Sequence, residues 1–268
     1  MAIIALQSAS SGLSALNTKL DVIANNLANV NTQGFKTSRA NFQDLLYIER
    51  SQPGVENANG DQRPTGLYVG LGVKVSGTQQ DFSQGSPIAT NRDLDMMIQG
   101  DGFFQVATEE AIGGGIAYTR AGNFTLNADG EIVLATDQGR RLEPSITVPQ
   151  DAVRVDIDAT GRVFAFRRGD TEPTEIGQIQ TATFVNPAGL RQEGENLWTE
   201  TAASGTPIIG NPSEDNRGRI LPGHLESSNV DPTFELVELI RTQRAFEMNS
   251  QAIRAADDTL RAVAQLRR

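Results

Sequence analysis

Apolar residues near the N-terminus recur in alternating steps of three and four: Leu6, Ala9, Leu13, Leu16, Leu20, Ile23, Leu27 and Val30. Near the C-terminus Leu239, Phe246, Ile253 and Leu260 recur every seven residues, with Ala256 and Val263 in the alternate seam slots. A three-four step keeps one narrow stripe facing a partner helix, so each end is expected to be a coiled-coil strand that cannot bury its seam alone. The spacing predicts a first helix from about Ile3 to Val30, ended by Gly34, because glycine takes the left-handed conformation a helix C-terminus wants. At ~1.5 Å per residue this is a rod of roughly 40 Å. The second helix should start where Asp231 caps free N–H groups and Pro232 sits in the first turn.

Polar residues break both stripes. Thr242 and Asn249 stand in the second row of the C-terminal seam; they either select one register or rotate out to water. Asn25, Asn26, Asn29 and Asn31 crowd the end of the first helix and either fray it or tie it to neighbours through their amides.

Between the ends the pattern is β. Leu45 to Ile48 and Tyr68 to Val75 are expected to form a long hairpin, with the polar stretch Gln52 to Gly66 as its tip. From Leu94 to about Glu200, short apolar runs alternate with glycine turns at Gln99–Phe103, Asn127–Gly130 and Ala159–Gly161, an all-β signature. Residues 201–230 should be an extended return path to the last helix. The fold class is therefore α+β, with paired terminal helices around a β body.

The 268 residues suffice for one large or two modest domains, and 38% hydrophobic content is enough for a core. No apolar run approaches bilayer length, so no membrane span is expected. Met1 to Leu6 carry no basic segment, which argues against an ordinary cleaved signal peptide. The chain has no cysteine, which excludes disulfides and thiol chemistry. Its net charge of −10 is unevenly placed. Residues 1–40 hold Lys19, Lys36 and Arg39 against Asp21, and residues 231–268 balance six Arg against six acids, so the middle carries all the acidity. An acidic middle without basic aromatic patches disfavours nucleic acid and anionic membrane as partners.

Catalytic chemistry finds no support. Asp156 with Asp158, and Asp129 with Glu131, lack the twelve-residue spacing of a calcium loop and read as hairpin turns. The single His224 cannot build a zinc site without cysteines or further histidines. Gly113–Gly115 and Gly100–Gly102 lack the residues that follow a phosphate-cradling loop. No catalytic, cofactor-binding or metal-binding residue is nominated, and the chain is read as a non-enzyme.

Three segments carry a resemblance. Leu20-Asp-Val-Ile-Ala-Asn-Asn-Leu-Ala-Asn-Val-Asn-Thr-Gln-Gly-Phe-Lys36, Gln99-Gly-Asp-Gly-Phe-Phe-Gln-Val106, and Gly223-His-Leu-Glu-Ser-Ser-Asn-Val230 with Thr242-Gln-Arg-Ala-Phe246 resemble, in order, signatures of the bacterial flagellar basal-body rod and hook family. Asn25, Asn26, Asn29, Gly34, Phe35, Ser228, Asn229, Gln243 and Arg244 fall on these motifs. Phe42 to Tyr47 with Gln52-Pro-Gly54 is similar to the segment of the family's distal rod members. The N-terminus departs somewhat, being small and aliphatic where relatives often place an aromatic near Leu6.

The resemblance implies a structural subunit of the distal rod that polymerises helically into a hollow, rigid drive shaft, transmits torque to the hook and serves as an export channel. Residues 1–34 and 231–268 would line the inner tube. Residues 35–93 and 201–230 would form an extended hairpin middle layer with a distal-rod insert, and residues 94–200 the outer β domain. The assembly seam would comprise Leu13, Leu16, Leu20, Ile23, Leu27 and Val30 with Leu239, Phe246, Asn249, Ile253 and Leu260. Implied partners are further copies, proximal rod and hook subunits, a rod cap, the P- and L-ring bushing and the flagellar type III export apparatus, and no cofactor. The implied location is the basal body, from the periplasm to the outer membrane, reached without a cleaved signal peptide. The alternatives are a sibling subunit, proximal rod or hook, or a secreted β-domain adhesin or carbohydrate-active enzyme.

Overall fold

A computed structural model describes residues 2–54, 64–111, 113–168, 173–215 and 217–266. The chain folds as two compact units: Met1–Ala28 with Ser38–Gln79 and Asp231–Arg268, and Asn29–Thr37 with Gln80–Val230. The segment read as a middle layer is thus divided. Residues 38–79 fold with the terminal helices, whereas 80–93 and 201–230 fold with the β body.

In the first unit, α1 (Ala2–Ala28) packs along α2 (Pro232–Leu266), and a two-part antiparallel hairpin completes it. Strand β1 (Ser38–Asp44) pairs with β4 (Val73–Gln80), and β2 (Tyr47–Ser51) pairs with β3 (Leu67–Gly70). The expected single pair, Leu45–Ile48 with Tyr68–Val75, is therefore corrected: the ladder breaks at Leu45–Leu46 and Leu71–Gly72. At the break the chain passes close to α1, and the Val73 N–H donates to the Ser11 hydroxyl (3.2 Å). Gly72 has φ +121°, and a Cβ there would overlap the Ser11 hydroxyl of α1. The Leu45 N–H to Gly72 carbonyl bond (2.9 Å) still bridges the break. Most of the polar tip, residues 55–63, lies outside the described residues.

The second unit is antiparallel β. Its largest sheet runs, in order, Arg191–Gly194, Leu197–Thr199, Ile116–Thr119, Phe103–Ala107, Thr181–Thr183 and Ile208–Gly210, with Leu142–Glu143 also pairing with Phe103–Ala107. Ala152–Ile157, Arg162–Arg167 and Thr174–Gln178 form a three-stranded sheet. Both glycine turns at Asn127–Gly130 and Ala159–Gly161 close hairpins as expected. The Gln99–Phe103 turn does not, because Met96–Gln99 pairs with Arg219–Pro222. The return path 201–230 is correspondingly not merely extended: Ile208–Gly210, Arg219–Pro222 and His224–Glu226 are strands.

Successive residues of a strand point to opposite faces, and here both faces are covered. Phe103 joins Tyr118, Phe184 and Trp198 on one side, while Phe104 joins Val106, Phe124 and Leu142 on the other. Phe104 and Phe124 meet edge to face at 5.3 Å, a geometry worth ~0.5–1.5 kcal/mol beyond the area buried. Among the described residues no helix is long and apolar enough to cross a membrane.

Candidate assembly site

Three contacts fix the register of α1 on α2. The Asn26 amide donates to Glu235 Oε1 (3.0 Å), Lys19 Nζ pairs with Glu238 Oε2 (2.8 Å), and the Asn249 side chain lies over Gly12. Rising numbers on one helix meet falling numbers on the other, so the pair is antiparallel. Asp231 caps α2 by accepting from the N–H groups of Thr233 (2.8 Å) and Phe234 (3.2 Å). That cap puts Glu235 in the first turn, where a carboxylate is favoured by the helix dipole. Glu238 also accepts from Arg241 (2.9 Å), and hydrogen bonds from Lys19 and Arg241 hold its carboxyl below the ordinary value of 4.5.

Along α1, Ile23 is buried and Leu13, Leu16, Leu20 and Leu27 are half-buried; along α2, Leu239, Phe246, Asn249 and Ile253 are half-buried and Leu260 is exposed. Val30 lies beyond α1, which ends at Ala28. Thr242 is buried rather than turned to water, its hydroxyl satisfied within the helix by the Glu238 carbonyl (2.7 Å).

The asparagine cluster resolves unevenly. Asn26 is a buried clamp: its Oδ1 accepts from Ser38 N–H (3.0 Å) while its amide donates to the Ser38 carbonyl (2.8 Å) as well as to Glu235. It therefore binds the end of α1, the start of β1 and the first turn of α2. Asn29 accepts from the Thr32 hydroxyl in the turn that follows α1 (3.0 Å), whereas Asn25 and Asn31 are exposed.

In the second unit the N-terminal and C-terminal motifs meet. Gly34 (φ +70°) donates to the Glu226 carbonyl (2.9 Å), and a Cβ on it would stand 2.6 Å from the Ala121 nitrogen. Phe35 is half-buried in the same turn, donating to Thr32 O (3.3 Å). Asn229 accepts from Thr37 N–H (2.8 Å) and donates to the Asp81 carbonyl (2.9 Å); Ser228 Oγ accepts from Val230 N–H (3.3 Å). Below this seam lies a fully buried ion cluster. Lys36 Nζ contacts Glu226 Oε1 (2.6 Å) and the Ser83 carbonyl (2.7 Å), while Arg120 reaches Glu226 Oε2 (3.4 Å). Burial pushes both cations below their ordinary values, and Glu226 opposes that shift.

Gln243 and Arg244 are exposed on α2 and make no part of these clusters. Sequence reasoning missed Glu226, Glu235, Glu238, Arg120 and the pairings of Lys19 and Lys36. Their only signal was that Lys36 and Glu226 fall inside the two terminal motifs, and a lone charge carries no periodicity to name its partner.

His224 Nδ1 lies 2.9 Å from the Pro222 carbonyl inside a strand pairing, an ordinary structural contact. Among the described residues no group of three or more His, Asp or Glu is placed to hold a metal ion.

Three family models match the chain: a flagella basal body rod protein model over residues 6–36, the flagellar hook protein FlgE/F/G D1 domain over 97–165, and the flagellar basal body rod FlgEFG protein C-terminal over 221–266. The chain is similar to the flagellar basal-body rod protein FlgG of Caulobacter vibrioides, 44% identical over 264 residues, covering 98% of this chain and 99% of that protein. It is similar to FlgG of Agrobacterium fabrum at 44% over 255 residues, 95% of each chain. With the flagellar hook protein FlgE of Escherichia coli, identity is 24% over a 422-residue alignment covering 98% of this chain and 100% of the hook protein.

Proposed function

This chain belongs to the flagellar basal-body rod protein FlgG family and is a structural subunit of the flagellar distal rod, and from that premise we propose how it assembles. The subunit polymerises through its terminal helices, which coil together and line a hollow tube, with the hairpin and the β body forming successive layers around them. A heterologous contact that never closes on itself generates a helical fibre. The shaft carries torque to the hook and passes exported subunits through its channel. Its neighbours are further copies, proximal rod and hook subunits, the rod cap and the ring bushing, in the periplasm up to the outer membrane.

The observation that carries this reading is the state of the helix pair. Residues from the two chain ends are zipped in one register, yet Phe234, Ile240 and Met248 stay 61%, 49% and 64% exposed. Large apolar side chains left in water on a well-registered helix pair mark a surface awaiting a partner. On the hairpin, Leu46 and Tyr68 are similarly exposed.

Replacing half-buried Leu20 by Asp tests the proposal. A charge in the seam should abolish rod assembly while the emission of buried Trp198 in the β body stays native. Normal rods and motility in that variant would overturn it.

A further inference from the structure

We propose that the outward face of α2 is the seat for the outward face of α1 from a second copy, with Arg244 pairing to Asp21 across the contact. The proposal rests on the polymer reading above and says which surfaces carry it. Both faces are visible in the burial pattern. On α2, Phe234, Val237, Ile240 and Met248 are exposed together with Arg244, all turned away from the seam that holds Glu235, Leu239, Thr242 and Phe246. On α1 the exposed positions Ser10, Ser14, Asn17, Asp21, Ala24 and Ala28 follow three- and four-residue steps, so they too form one stripe, made almost entirely of small side chains.

The two stripes are complementary in shape and charge. Large side chains on one helix fit against small ones on the other, which lets helix axes approach closely. Among the described residues, the ion pairs formed on these helices, Lys19 with Glu238, Arg241 with Glu238 and Arg261 with Asp257, leave out Arg244 and Asp21. Asp21 is the single charged residue of the small stripe, and Arg244 stands among the exposed apolar residues of α2. An arginine–carboxylate pair at the centre of an apolar contact fixes register and rejects like-charged alternatives.

Geometry then explains propagation. Each face looks away from the seam shared by the antiparallel pair, so the two faces point in opposite directions. Each copy offers one large-residue face and one small-residue face, and the contact joins unlike surfaces. Such a contact leaves a free face at each end and extends without limit.

The test uses the full-length chain, polymerised and followed by sedimentation and electron microscopy. Arg244→Asp and Asp21→Arg should each lower pelleted fibre at least about tenfold, because like charges then meet in the contact. Combining the two substitutions should restore fibres. Both residues are exposed, and native far-ultraviolet circular dichroism and Trp198 emission confirm folding in each variant. Full polymerisation of either single variant, or a double variant as defective as the singles, overturns this pairing while leaving the polymer reading intact. An unsubstituted chain that forms no fibre under any polymerising condition overturns both.

Discussion

Replacing Glu226 by Gln keeps the side-chain shape and removes the one negative charge of the buried cluster. Lys36 and Glu226 side chains have no exposed surface and Arg120 only 4%, so no water replaces the lost charge. Lys36 would keep the Ser83 carbonyl (2.7 Å), and Arg120 the carbonyls of Ile98 (3.3 Å) and Gly100 (2.8 Å). Neutral acceptors do not compensate two buried cations, and breaking a buried pair in this way costs about 3–5 kcal/mol. In a unit of this size each kcal/mol lowers the midpoint by about 2–4 °C, so the transition should fall by roughly 10 °C. The chain has one tryptophan, Trp198, buried in the same unit, so its fluorescence during heating reports this transition selectively. Adding Lys36→Met to Glu226→Gln removes one stranded cation. The double variant should therefore be more stable than the sum of the two single losses by about 0.5–3 kcal/mol. A midpoint shift below about 3 °C for Glu226→Gln, or strict additivity in the cycle, would refute the view that these charges hold the two terminal motifs together.

Asn26→Ala would strip three hydrogen bonds and leave Ser38 backbone groups without their side-chain partner; hydrogen exchange at Ser38 should rise by about ten- to a hundredfold, matching ~1–3 kcal/mol of local stability. Gly34→Ala combines a left-handed backbone with a methyl 2.6 Å from Ala121 N, and should lower the Trp198 midpoint by at least about 4 °C; an unchanged midpoint would contradict the packing. Glu238 has a depressed folded-state value, so its contribution is present above pH 4.5 and is lost as pH falls through the folded value. Helix content measured between pH 5 and 2 should therefore decline less steeply in Glu238→Gln than in the unsubstituted chain.

Periodicity made the helices legible. Local rules act over one turn, so Asp231 and Pro232 set the start of α2 as read, and the glycine turns at 127–130 and 159–161 close hairpins where expected. The run Phe103-Phe104-Gln105-Val106 is strand-like because the sheet is covered on both faces. The hairpin failed to read as two ladders because its break lies where Gly72 and Val73 meet Ser11 of α1, a contact between residues far apart in the chain.

The sequence by itself determined which segments are helical, where the second is capped, that the body between them is β, and through its three motifs the family; Gly34, expected to end the first helix, instead lies beyond its end at Ala28 and bonds to Glu226. The tertiary structure alone decided the partners: Asn26 with Glu235, Lys19 with Glu238, and Lys36 with Glu226 and Arg120. It also decided that residues 38–79 fold with the helices and that Arg219–Pro222 pairs with Met96–Gln99. The physical reason is range. Helix periodicity, capping and turn chemistry are fixed by residues a few positions apart, whereas an ion pair or a strand pairing between distant residues depends on where the whole chain has been brought, and neither leaves a period to read.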